Sequence, residues 1–204
     1  DVVGLDKSED MISKAKSNYP ECDFMVEDFL TSNMFDYYSY SHILCLGKTI
    51  YEIKDKELYF ENCSSILSKD GFLIINLVDR ENFKPFVQNK DKHTLYDPEK
   101  YGKKVNEIIV KFDENSEFMS KYKVKNLENN NVVDSSVTPY AVYNEKFSNF
   151  KTHNIRENEI NLYMPETTKI LNLAKAKDYK LLKKIDLKPV GHNYEYLYVF
   201  KKLE

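Results

Sequence analysis

The chain has 204 residues, 42% of them hydrophobic and 31% charged, which gives enough apolar surface for one core. A formal charge of −3 and an isoelectric point near 5.9 exclude the broad basic surface that sequence-independent nucleic-acid binding needs, and favour a small or neutral substrate. No stretch approaches the ~18 consecutive apolar residues of a membrane helix, and Cys22, Cys45 and Cys63 lack CxxC or Cys/His spacing, so the expectation is free thiols, no metal centre and a cytoplasmic setting.

The opening run Asp1-Val2-Val3-Gly4-Leu5-Asp6 reads as a buried strand ending in a carboxylate. Ser8 then caps a helix. Glu9 and Asp10 lie in its positive first turn, Met11, Ile12, Ala15 and Tyr19 recur at helical spacing, and Pro20 stops it. In open α/β sheets ligands lie across the carboxyl ends of the strands, so Asp6 is placed to take both hydroxyls of a ribose. Phe24 to Glu27 reads as a short strand running into Asp28-Phe29, and His42 to Leu46 as a buried parallel strand. Asp55 caps a helix from about Lys56 to Leu67, Asp70-Gly71 turns the chain, and Phe72 to Val78 is a further buried strand.

From about residue 80 the pattern changes to alternating runs, Val105 to Phe112, Phe118 to Leu127 and Val132 to Tyr143, which predict antiparallel hairpins. Pro165 to Lys177 then reads as a helix with Ile170, Leu171 and Ala174 inward, followed by strands at Leu181 to Leu187 and Tyr194 to Phe200. The lysines from Lys175 to Lys188 read as a solvated face.

Taken alone, an aspartate after a strand serves as a turn former or helix cap. Here two such residues, Asp6 and Asp28, recur in register, and the order of elements resembles the class I S-adenosylmethionine-dependent methyltransferases. That resemblance implies S-adenosyl-L-methionine as cofactor. It implies that Asp6, beside Lys7, binds the ribose, that Met11 lies beside the adenosine, and that Asp28 accepts from the adenine amine with Phe29 alongside the base. Glu27 departs from the small residue that usually precedes this aspartate.

The segment from Ile43 to Ile53 is similar to the fourth-strand motif of small-molecule N-methyltransferases of the glycine methyltransferase type. That similarity implies that Leu46, Gly47 and Thr49 wrap the methionyl arm, with Thr49 and Tyr51 facing the pocket. Tyr51 to Lys56, Leu77 to Arg80 and Asn158 to Met164 also resemble a methyltransferase group seen in large DNA viruses and marine microbes.

The fold expectation is therefore α/β: a Rossmann-like sheet, mostly parallel, with an antiparallel C-terminal pair and an inserted antiparallel β region. Residues 1–204 are expected to be one methyltransferase domain, with 80–164 as a β-rich insertion or acceptor lid. The resemblance further implies that the chain is an N-terminally truncated fragment, without the family's first strand and glycine-rich loop.

Methyl transfer is an in-line displacement from a sulfonium, so positioning and desolvation supply much of the catalysis without a dedicated nucleophile. The acceptor must still lose a proton, for which Asp79, Tyr51 and His153 are candidates. His42 sits at the wrong end of its strand, and His93 and His192 read as solvated loop residues. The expected partner is a small-molecule acceptor, methylated on nitrogen or oxygen, with no nucleic acid and no membrane.

Two alternatives stay open. One is a cofactor-binding or inactive subunit whose insertion meets a partner. The other is a nicotinamide-dependent (NAD) oxidoreductase, for which Tyr96 to Lys100 and Tyr179 to Lys183 have the required spacing, although Pro98 interrupts the first and the second falls on a strand.

Overall fold

The structure, a computed structural model, describes residues 1–31, 35–83, 107–125 and 138–203. Strand β1 (Val3–Asp6) leads through the Ser8 cap into helix α1 (Glu9–Asn18), whose Met11 amide donates to Ser8 Oγ at 3.3 Å. The chain returns along β2 (Asp23–Val26), parallel to β1, and Asp6 lies opposite Val26 at the strand tips. Gly4 is paired with Phe24, and a Cβ there would come within 2.6 Å of the ring, so only glycine lets the ring lie flat across β1.

Next come β3 (Tyr40–Cys45), a short 3-10 turn (Thr49–Tyr51), helix α2 (Lys56–Ile66) and β4 (Leu67–Val78). Asp55 Oδ1 accepts from the Leu58 amide at 2.9 Å, the cap its position predicts. The expected turn at Asp70-Gly71 occurs inside β4 rather than before it. Tyr40 pairs with Leu67 and His42 with Phe72, so residues 68–71 bulge from the ladder, with Asp70 in the left-handed region at φ 64°.

The antiparallel region contains β5 (Glu107–Lys111), β6 (Ser116–Val124), β7 (Ala141–Asn149) and β8 (Asn154–Leu162), paired in chain order. Of the strands expected there, residues 105–106, 126–127 and 132–137 lie outside the described residues, as do His93, Tyr96, Pro98 and Lys100. Strand β8 escapes periodicity analysis because its first six residues, Asn154 to Glu159, are exposed on both faces and carry no apolar alternation. Helix α3 (Thr167–Ala176), β9 (Tyr179–Asp186) and β10 (Glu195–Lys202) complete the chain.

Among the described residues the α/β part holds two sheets where one is expected. β1 and β2 pair only with each other, and the second sheet runs β3-β4-β10-β9, with β10 antiparallel to both neighbours. Its inner strand β4 is flanked on both sides and covered on both faces, so Ile75, Leu77 and Val78 lose nearly all contact with water and Asn76 is buried with them. Phe60 of α2, Ile170 of α3 and Phe200 of β10 join that core, and so do Tyr122, Ala141 and Leu162 of the antiparallel sheet.

The end of β8 is tied to this core by polar contacts. Lys56, only 5% exposed, donates from Nζ to the carbonyls of Ile53 and Tyr163, each at 2.7 Å. The Tyr163 amide donates to the Tyr51 carbonyl at 2.7 Å, and Arg80 Nη1 donates to the Met164 carbonyl at 2.9 Å.

Burial brings the Lys56 ammonium down to about 8, with Cys45 opposing the shift. Unfolding restores its ordinary value near 10, so between those limits the unfolded chain binds the extra proton and rising pH favours the folded state. A Lys56→Met variant loses this contribution. Urea midpoints measured across that window should show the native chain gaining on the variant by about 1–3 kcal/mol, whereas a constant difference would mean that Lys56 titrates normally.

Candidate functional site

Parallel strands bring their carboxyl ends to one edge. On that edge lie Asp6 and Asp28, following the adjacent tips of β1 and β2, with the Glu27 amide donating to the Asp6 carbonyl at 3.0 Å. Both aspartates are exposed, and each spends one oxygen on a local turn. Asp6 Oδ1 accepts from the Ser8 amide and Asp28 Oδ1 from the Leu30 amide, both at 2.9 Å. The turns hold each carboxylate through one oxygen and do not use the other.

Large apolar side chains are exposed on the elements that follow β1 and β3. Met11 is 61% exposed on the first turn of α1, and Leu46 is 47% exposed just beyond β3. Phe29 is anchored differently: its ring packs on Tyr59 with centroids 5.3 Å apart, and its carbonyl accepts from Asn62 Nδ2 at 2.8 Å.

Beyond β3 the backbone takes two consecutive left-handed residues, Gly47 at φ 62° and Lys48 at φ 71°. They reverse the chain into the 3-10 turn, where Thr49 Oγ1 donates to the Leu46 carbonyl at 2.9 Å. Tyr51 then drops into the core at 2% exposure, and its hydroxyl accepts from the Val78 amide at 2.9 Å. Burial pushes that phenol far above its ordinary value, so it keeps its proton at neutral pH and ties the turn to the end of β4.

The residue after Tyr51 joins the pieces. Glu52 is open to solvent on one side, yet the protein crowded around it raises its carboxyl; Lys7 opposes the shift, and Asp6 and Glu145 add to it. Asp6 and Lys7 of the first tip, Glu52 of the turn and Glu145 of β7 therefore share one electrostatic neighbourhood. Glu145 reaches it because it lies opposite Ser120 and Asn158, two residues along from the row Tyr122, Tyr143 and Ile160, whose Tyr122 is buried in the core. Nothing in the sequence marks Glu145, since its direction depends on which face of β7 turns to the core.

Asp79, half-buried just past β4, accepts at Oδ2 from Asn82 Nδ2 at 2.9 Å. It also lines a cavity of about 330 Å³ walled by Tyr196 and Tyr198, with Arg80 and Glu166 at the side. Arg80 is saturated there by Glu81, Glu166, the Met164 carbonyl and the Tyr140 ring 4.8 Å away. The cavity is lined by none of Asp6, Met11, Asp28 and Gly47, so it is separate from the aspartate tips. His153 sits at positive φ in an exposed stretch between β7 and β8, and Tyr179 and Lys183 both lie within β9.

A family model described as a methyltransferase domain matches residues 1–131, which covers both strand tips and the turn after β3. The chain belongs to this methyltransferase-domain family. No curated protein matches it. Among solved structures, this methyltransferase resembles an S-adenosylmethionine-dependent methyltransferase from Clostridium acetobutylicum, with TM-score 0.70 and 14% identity over 99% of this chain and 75% of that one. It resembles the CcbJ methyltransferase from Streptomyces caelestis with TM-score 0.69 and 11% identity over 100% and 75% of the two chains. An amino pentose methyltransferase from Micromonospora echinaspora, solved with S-adenosylmethionine bound, aligns with TM-score 0.59 and 12% identity over 98% and 73%. At these identities the likeness is one of fold: mixed α/β, as in class I methyltransferases.

An added Cβ at Gly47 would meet nothing within 4 Å, so its substitution tests the backbone alone. Gly47→Ala in this methyltransferase should lower stability by about 1 kcal/mol, the cost of a left-handed non-glycine residue. Thermal unfolding of the two proteins measures it, and an unchanged midpoint would mean that the turn relaxes without strain.

Proposed function

We propose that the chain transfers a methyl group from S-adenosyl-L-methionine to a small-molecule acceptor, at nitrogen or oxygen. The observation that carries this reading is the pair of carboxylates at adjacent parallel strand tips, each held through one oxygen with the other unused by that turn, together with the exposed apolar side chains Met11 and Leu46. Two carboxylates and an apolar rim fit an adenosine, because a ribose offers two hydroxyl donors, adenine offers an amine donor, and both have flat apolar faces.

When bound, the cofactor supplies a methyl on a positively charged sulfur. The chain does the rest. Asp6 accepts from the ribose hydroxyls, and Asp28 accepts from the adenine amine. The open backbone at Gly47 lets the methionyl arm approach the turn without meeting a side chain at that position. We read the sheet β5–β8 as the acceptor lid: Ser120, Tyr143, Glu145 and Phe147 share one face with buried Tyr122, Glu145 acts on Glu52 near Asp6, and a cover there would exclude water and orient the nucleophile. Amino-sugar methylation by a protein of the same fold is consistent with a small polar acceptor.

Asp6→Asn separates binding from folding, because the amide oxygen still accepts from the Ser8 amide while the charge is gone. The variant should fold normally and lose ten- to a hundredfold in cofactor affinity, on the scale of one charge-assisted hydrogen bond at about 1.5–3 kcal/mol. Calorimetric titration with S-adenosylmethionine measures it. Equal dissociation constants would reduce Asp6 to a turn residue, and binding without release of S-adenosylhomocysteine under any acceptor would favour a cofactor-binding subunit.

A further inference from the structure

The region past the tips of β4 and β10 holds a buried carboxylate that the adenosine reading does not use. Glu195, 8% exposed, opens β10 in register with Val78, the last residue of β4, and the Asp79 amide donates to the Tyr194 carbonyl at 2.9 Å beside it. Two basic side chains converge on the same oxygen of Glu195. Lys48 Nζ, from the left-handed turn beyond β3, lies 3.5 Å away, and His192 Nδ1 lies 3.6 Å away.

A buried carboxylate is costly unless it is paired, and Lys48 supplies that pairing charge. Lys48 does not account for His192. That imidazole comes from the β9–β10 connection, is held in place by its own amide donating to the Leu187 carbonyl at 3.1 Å, and keeps a side chain 57% exposed. Its Nδ1 edge faces the carboxylate, which leaves Nε2 on the open side. A carboxylate 3.6 Å behind an imidazole whose other nitrogen is open is an arrangement that general-base chemistry can use once the contact closes to hydrogen-bond length. The charged groups facing the imidazole are Glu195 of β10 and, through that carboxylate, Lys48 of the turn; Tyr51 feels the same Glu195 charge from beneath.

We propose that His192, oriented by Glu195, takes the proton that the acceptor sheds during methyl transfer. The inference rests on the methyl-transfer reading above and adds a residue to it. The acceptor's lone pair bonds to the methyl carbon, the carbon–sulfur bond breaks with its electron pair going to sulfur, and the acceptor's proton passes to Nε2 of His192. The resulting imidazolium is stabilised by the Glu195 carboxylate against its Nδ1–H. Lys48 belongs to the turn that the methionyl arm would approach, so the turn and the proton acceptor share one anchor.

The test needs no knowledge of the acceptor. An adenosine analogue that carries an aziridinium in place of the methylsulfonium puts an electrophilic carbon where the methyl would be, and it alkylates whichever nucleophile faces that point. Incubated with the full chain and read by peptide mass spectrometry, it should label His192. The labelling rate should fall at least tenfold in Glu195→Gln at unchanged analogue affinity, and the label should vanish from this position in His192→Gln.

Nitrogen-15 spectra of the histidines should show His192 protonated on Nδ1 in the native chain and should lose that preference in Glu195→Gln, which a packing role for Glu195 would not produce. Binding of the analogue without label at His192, or Nε2 protonation in the native chain, would overturn the assignment of His192 alone. Failure of the analogue to bind would overturn the adenosine reading, and this proposal with it.

Discussion

Between the end of β4 and the start of α3 the chain leaves the α/β core and returns, and the hydrogen bonds at its re-entry govern much of what lies above. Arg80, just past β4, reaches the Met164 carbonyl 84 positions later, while Lys56 and the Tyr51 carbonyl take the carbonyl and amide of Tyr163. These bonds are made in a water-poor setting, where an unmade partner costs its full desolvation. The antiparallel sheet therefore enters at a fixed place, with Tyr122, Ala141 and Leu162 buried in the same core as β4. Its attachment to the core follows from that seam.

Fixing the sheet in this way has an electrostatic consequence. Glu145 is carried toward Glu52, Asp6 and Lys7, where three carboxylates and one ammonium share a partly covered space. This edge is thus acidic and favours hydrogen-bond donors or positive charge. On the far side of the same edge, Glu195 is balanced by Lys48. The turn beyond β3 lies between the two groups, Gly47 exposed and Tyr51 pinned to the end of β4.

At Asp6 and Asp28 a turn role does not exclude the proposed binding role. Each is a turn former, as a lone aspartate after a strand tends to be, and each turn uses one oxygen only. A carboxylate has two oxygens, so the structural duty of one does not consume the other. The local turn also removes side-chain freedom before any ligand arrives, which lowers the entropic cost of binding. Tyr51 contrasts with them: its single hydroxyl is committed to the Val78 amide.

The strands and helices up to β6 and from α3 onward, the Ser8 and Asp55 caps and the turns at Asp6, Asp28 and Gly47 were legible in the sequence, because local periodicity, capping and turn chemistry act over a few residues, whereas β7 (Ala141–Asn149) overlaps the expected run Val132 to Tyr143 only at its start. The antiparallel direction of β10 agrees with the expected C-terminal pair. Strand β8 was not legible, since it is held by pairing with β7 rather than by its own pattern, and the bulge at residues 68–71 is visible only in register with β3. Nor were Glu52, Glu145, Lys56 and the group of Lys48, His192 and Glu195. Residues far apart in the chain carry no mutual signal until folding sets their distance, and burial and charge pairing, which decide what a carboxylate, an ammonium or an imidazole can do, are properties of that distance alone.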